Sequence, residues 1–383
     1  MAGPPPVVNP PVGFAYVTAM ATSAGGVGSV YQYAVLQDGS VSPLAQTSVS
    51  AGVEPAAIAL DQAGRHAYVV NVGDGTISQY DIAADNSLVP MNPATIVNPG
   101  MQTLGVMPSA VILDPTHSFL YVANEGDATL SQFSIGSSGQ LTPLTPATAP
   151  TGTEPVSIAA AAGPSGGHVY VVNSAAGVPA GMGSVSQFSM GADGTLTPLN
   201  PATVSASASP VAIAIDQGIA PFGTAFVMSD CGGSSCVGSI AQFAVGAGGE
   251  LTATGVATTT GDHYNAIGMV TDQSGGNAYV LTNLMGVDTN NGALWQFSVG
   301  NTGALSAPNQ PALSFGAEAL AQALIGDRLC VLTTNVAIGG NGSSGGSINC
   351  YTLGADGLPT PAVSTALAAA HPVSMAVLYL LPP

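Results

Sequence analysis

The chain has 383 residues, 46% of them apolar and only 6% charged, with 20 acidic residues, two arginines (Arg65 and Arg328) and no lysine. So few cations exclude a nucleic-acid partner and an anionic membrane surface, because nothing is present to neutralise rows of phosphates. The most apolar stretch, Ala366–Leu381, is too short and too broken by Pro372 to span a bilayer.

Residues 1–13 are Pro-rich and read as an extended lead-in. They carry neither the charged n-region nor the apolar core of a signal peptide. From residue 14 a unit of four short strands repeats, most clearly in Pro55–Met91. There the runs Ala56–Leu60, Ala67–Asn71, Thr76–Ile82 and Ser87–Met91 are separated by turn clusters rich in Asp, Asn and Gly. The second strand recurs at Ala15–Thr18, Leu120–Asn124, Val169–Asn173, Ala225–Met228, Ala278–Leu281 and Leu329–Leu332. The third recurs as Val30–Tyr33, Leu130–Phe133, Val185–Phe188, Ile240–Phe243, Leu294–Phe297 and Ile348–Tyr351. The spacing of the second-strand aromatic varies only between 49 residues (Tyr121 to Tyr170) and 56 (Tyr170 to Phe226).

One such sheet cannot cover both of its faces, so the copy number decides the fold. Seven copies predict an all-β chain, a seven-bladed β-propeller of four-stranded antiparallel blades occupying residues 14–383 as one domain. Six copies have a first strand of their own, while the N-terminal copy has none before Phe14. The orphan strand Val373–Leu381 is expected to complete that blade and close the ring.

The YVxN second strand, the VSQF or ISQY third strand and the GxLTPL fourth strand together resemble the lactonase family of seven-bladed propellers, which includes the YVTN-repeat proteins. The resemblance spans residues 14–383. It implies the propeller fold, a bacterial setting, and either lactone chemistry at a channel mouth or no catalysis. Members such as 6-phosphogluconolactonase act on anionic substrates with histidine and arginine. This chain departs from that pattern. Arg65, Arg328, His66, His117 and His168 all fall in the turn after a first strand, where they read as solvated turn residues. That speaks against 6-phosphogluconolactonase activity.

The residue before each first strand is expected to rim the channel. Four such positions on consecutive blades, His263, Glu318, His371 and Glu54, form a His/Glu group suited to general acid–base work or to a divalent cation. Glu154, Tyr264, Asp230 and Asp288 are further ligand-binding candidates near that rim. Repeated turn use is the simpler reading of the glutamates. The six mid-strand glutamines, Gln32 to Gln296, read as buried amides bonded to neighbouring backbone. Cys231 with Cys236, and Cys330 with Cys350, fit local disulfides of an oxidising compartment, the alternatives being buried thiols or, as the weaker reading, a CxxxxC metal half-site.

The reading that follows is a secreted, periplasmic or cell-surface binding or scaffold module, its leader absent from this sequence, with no cofactor unless a divalent cation. Its partner would be a neutral small molecule, a glycan or a protein at the channel mouth. A hydrolase of small neutral lactones or esters is the alternative, and a self-associating surface protein the second. With at most two arginines, five histidines and an amino terminus to charge, acid is expected to unfold this chain less readily than most.

Overall fold

The computed structural model describes residues 9–61, 63–99, 107–163, 166–174, 182–216, 223–230, 237–262, 264–272, 276–284, 292–306, 312–334, 345–360 and 364–380. Seven antiparallel sheets form a ring of blades. Blade 2 shows the plan: Pro55–Leu60 lies innermost, followed outward by His66–Asn71, Thr76–Ile82 and Leu88–Val97. Blades 3, 4, 5 and 7 repeat this order, with inner strands Pro108–Leu113, Pro155–Gly163, Pro210–Asp216 and Glu318–Ile325. In blade 6, whose inner strand is Tyr264–Thr271, the outer strand is reduced to Leu305–Ser306 and Leu313–Ser314. Blade 1 closes the ring: Pro372–Tyr379 pairs with Pro11–Ala19, Phe14 lying opposite Leu378 and Tyr16 opposite Ala376. Among the described residues no helix is long and apolar enough to cross a membrane.

Burial explains why the second strands read as unbroken apolar runs rather than alternating ones. Ala67–Asn71 is buried along its whole length because a neighbouring blade covers each side. Apolar clusters join every successive pair of blades, from blade 1 against blade 2 (Tyr16, Val30, Ile58, Val69, Tyr80) round to blade 7 against blade 1 (Cys330, Ile348, Val17, Met375).

Two polar clasps repeat across these interfaces. The second-strand tyrosine donates its hydroxyl to a carbonyl in the outer turn of the next blade: Tyr16 to Asn86, Tyr68 to Gly139, Tyr121 to Gly194, Tyr170 to Gly249 and Tyr279 to Gly357. Burial pushes these phenols well above their ordinary range. The repeated glutamines form the second clasp. Gln132 donates to the Pro146 carbonyl of its own blade and accepts from the Leu196 amide of the next, and Gln32, Gln79 and Gln187 do the same. They are structural amides, as the repeat suggested.

Blade 7 has Cys330 where five blades carry the tyrosine and blade 5 carries Phe226. Cys330 and Cys350 face each other across adjacent strands, with Cα atoms 4.0 Å apart, and are joined by a disulfide. Arg328 supplies the missing clasp, donating to the Gln37 carbonyl of blade 1 and, at 2.6 Å, to Thr352 Oγ1. It is buried, so the expectation of a solvated turn residue fails for it. Cys231 and Cys236 lie outside the described residues.

Candidate functional site at the two channel mouths

The inner strands all run the same way, giving the channel a front mouth where they begin and a back mouth where they end. At the front, Glu54, Glu154 and His371 each immediately precede an inner-strand proline, as does Ser209. All four hold left-handed backbone, with φ of 52°, 55°, 57° and 47°. For residues with a Cβ this costs ~1–3 kcal/mol apiece. The conformation turns their carbonyls toward the second strand, where they accept the amides of Val72, Ser174, Met20 and Asp230. The rim position is therefore first a turn device, repeated from blade to blade.

Glu318 opens the inner strand of blade 7 and is half-buried, while Glu54 and His371 are exposed. These three stand on consecutive blades at one end of the channel. Asp230 follows the second strand of blade 5. Tyr264 begins the inner strand of blade 6. His263 and Asp288 lie outside the described residues, as do most of the longer loops on this face. No group of three or more His, Cys, Asp or Glu able to hold a metal occurs among the described residues. Sequence reasoning missed Glu125, half-buried just after the second strand of blade 3. Burial, and then the negative charge of Glu154, pushes its carboxyl above the usual range.

The back mouth is built differently. A space of about 400 Å³ opens among the far ends of inner strands from blades 1, 2, 3, 6 and 7. Its walls include Ile58, Leu60, Leu113, Leu324 and Val377, with His117 and Gln322 as polar lining. The His117 Nδ1 sits 2.8 Å from Asp61 Oδ1. The other Asp61 oxygen accepts from Arg65 Nε at 2.7 Å, and the Ala63 amide donates to Oδ1. Burial opposes ionisation of Asp61, but the Ala63 amide, Arg65 and His117 outweigh it and hold the carboxyl below its ordinary range. An ionised Asp61 accepts a proton-bearing Nδ1, which fixes the tautomer of His117 and leaves Nε2 as its acceptor nitrogen. Gln322 donates to the carbonyls of Gly268 and Tyr279, and its Oε1 is buried without a partner among the described residues.

The histidines expected to be solvated are thus of three kinds. His117 lines the channel. His66 pairs with Asp81 at 3.1 Å. His168 is buried, and burial lowers its imidazole below the ordinary value. Only Arg65 keeps more than half of its side chain in solvent. The signal that could have revealed His117 was its place one turn beyond an inner strand, opposite Asp61 in the neighbouring repeat.

The family model described as lactonase, seven-bladed β-propeller, matches residues 18–161. No curated protein matches the chain in sequence. Solved structures resemble it over nearly its full length. A candidate 6-phosphogluconolactonase of Bacteroides fragilis is 16% identical with a TM-score of 0.68, covering 96% of this chain and 98% of that one. A Lactobacillus plantarum protein gives 17%, 0.67, 96% and 99%. The periplasmic gluconolactonase PpgL of Pseudomonas aeruginosa gives 16%, 0.66, 96% and 99%. At such identities the likeness establishes the fold and leaves the activity open.

Proposed function

Because the chain is a lactonase-like seven-bladed β-propeller, we propose that it is an extracytoplasmic binding module whose channel takes a small neutral ligand at the back mouth. One observation carries this reading: a space of about 400 Å³ lined by aliphatic side chains with about as much polar as apolar surface, where His117 and Gln322 are the polar side chains that can orient what enters. Its volume falls in the range of small-molecule pockets, and the share of polar surface suits a ligand bearing hydroxyls or carbonyls. Neutrality follows from the lining, since neither arginine is part of it and the chain has no lysine to clamp a phosphate. The location outside the cytoplasm rests on the Cys330–Cys350 disulfide.

Melting curves with neutral lactones and sugars, beside their phosphorylated or carboxylated counterparts, test the reading. A ligand at a hundred times its Kd stabilises by ~2.7 kcal/mol. A neutral compound should raise the melting temperature of the wild type and not of His117→Asn, which tolerates left-handed backbone. A response confined to anionic compounds would overturn it.

The Asp61–His117 pair favours a second reading, hydrolysis of a neutral lactone or ester. His117 Nε2 would take a proton from water as the water oxygen attacks the carbonyl carbon. The acyl C–O bond then breaks, and the leaving alkoxide recovers the proton. Any hydrolysis should then fall in both Asp61→Asn and His117→Asn. The front-rim group of His263, His371, Glu318 and Glu54 is the rival seat, and loss of hydrolysis in His371→Ala alone would select it.

A further inference from the structure

We propose that the front face of blades 1 to 4 is a docking surface for a polypeptide segment carrying lysine or arginine among aliphatic side chains. Among the described residues, five of the eight exposed large apolar side chains lie on this face: Met20 and Val27 on blade 1, Val97 on blade 2, Met107 on blade 3 and Met182 on blade 4. They are between 41% and 68% exposed. Standing on four neighbouring blades of one face, they offer separate aliphatic contact points to an extended segment rather than one continuous patch.

Carboxylates lie among them. Glu54, Glu125 and Glu154 come from blades 2, 3 and 4, and none makes a side-chain hydrogen bond or ion pair with a described residue. Acids elsewhere are used within the fold on both faces: at the front Asp74 accepts from Val53 and Thr76, and at the back Asp38, Asp85 and Asp193 cap their own turns through Ser40, Ser87 and Thr195 while Asp61 holds Arg65 and His117. Both arginines of the chain also sit on the back face, so no arginine or lysine answers the front glutamates. Glu125 and Glu154 lie close enough for one charge to disfavour the other, a repulsion that a cation between them relieves.

Charge complementarity selects the occupant. A second copy would bring the same glutamates face to face on a chain of net charge −18, and an anionic membrane would be repelled for the same reason. A free small molecule would leave most of a spread of side chains across four blades untouched. A cationic segment with aliphatic side chains matches both features at once. The surface is independent of the back-mouth cavity, so either assignment can fail alone.

The probe is a 14-residue synthetic peptide alternating leucine and lysine, measured by fluorescence anisotropy at 150 mM salt. Leucine–glutamate and glycine–lysine peptides of equal length serve as comparisons. The triple variant Glu54→Gln, Glu125→Gln, Glu154→Gln should lose at least tenfold in affinity. Asp81→Asn, Glu250→Gln, Asp327→Asn, which removes the same charge from the back face, should lose less than twofold. Met107→Ser with Met182→Ser should weaken the leucine–lysine peptide at least fivefold and leave the glycine–lysine peptide unchanged. Circular-dichroism melts must match the wild type for each variant, and the single substitutions replace any that does not. Equal losses in the two triple variants, or equal binding of the leucine–glutamate peptide, would overturn the proposal. So would a dimer in sedimentation that the methionine pair abolishes, or calcium chloride alone raising the melting temperature through the same glutamates.

Discussion

Removing Pro372–Pro383 takes away the inner strand of blade 1 and should end cooperative folding of the ring. Met375 and Val377 pack against blade 7, whereas Leu378 packs into the cluster shared with blade 2, so this one strand bridges both neighbours. Full burial of such side chains contributes ~1.5–3 kcal/mol each. The three together are worth roughly 5–9 kcal/mol on that scale, before counting the backbone ladder to Pro11–Ala19. Whole-domain stabilities are only ~5–15 kcal/mol. Guanidinium titrations should therefore show a lower midpoint and two probes that no longer coincide, far-UV circular dichroism for the whole ring and Trp295 fluorescence for blade 6. Leu378→Ala is the milder form and should cost ~2–5 kcal/mol. A truncated chain with the wild-type midpoint, slope and coincident transitions would refute the closure argument.

Tyr121→Phe deletes a 2.7 Å bond and leaves the Gly194 carbonyl buried without its donor, which should cost ~1–3 kcal/mol in a urea titration. Replacing Cys330 and Cys350 with alanine opens a link spanning 20 residues and should lower stability by ~3 kcal/mol, read as a shift in the denaturant midpoint. The pH profile should have two steps. His168 has a folded-state pKa held below its ordinary 6.5, so the unfolded chain binds protons first and stability begins to fall as pH drops below about 6.5. Asp61, Asp85 and Asp193 are held below 3.8, and Asp38 at about 2, so their contribution is present above 3.8 and is lost below it. Denaturant midpoints at pH 7, 5 and 3 should resolve the steps, and His168→Leu should flatten the first. Collapse in a single step near pH 6 would contradict the expectation, drawn from the scarcity of cations, that the fold tolerates acid.

The blade count, the closing strand, the structural glutamines and the Cys330–Cys350 bridge were all legible in the sequence. Each depends on local order: strand alternation, turn residues, and a period that repeats within one hairpin or from one blade to the next. Tyr121 and Gln132 recur because every interface poses the same packing problem, and repetition is what a sequence displays. The back mouth was not legible, because an aspartate recurs in this turn at Asp61, Asp114, Asp216 and Asp272 and the repeat does not show which of them meets a histidine. His117 and Asp61 stand 56 residues apart, in equivalent turns of neighbouring blades, and only the curvature of the ring brings Nδ1 to 2.8 Å from the carboxylate. Arg328 looked like a solvated turn residue until the closed ring set it against Gln37, 291 positions earlier. The rim glutamates and His371 were placed at the right end of the channel, but their left-handed backbone was hidden, since nothing in a side chain of that kind announces a positive φ. Periodicity along the chain therefore determined the architecture. The candidate site depends on which side chains of neighbouring blades the ring brings together, and only the tertiary structure shows that.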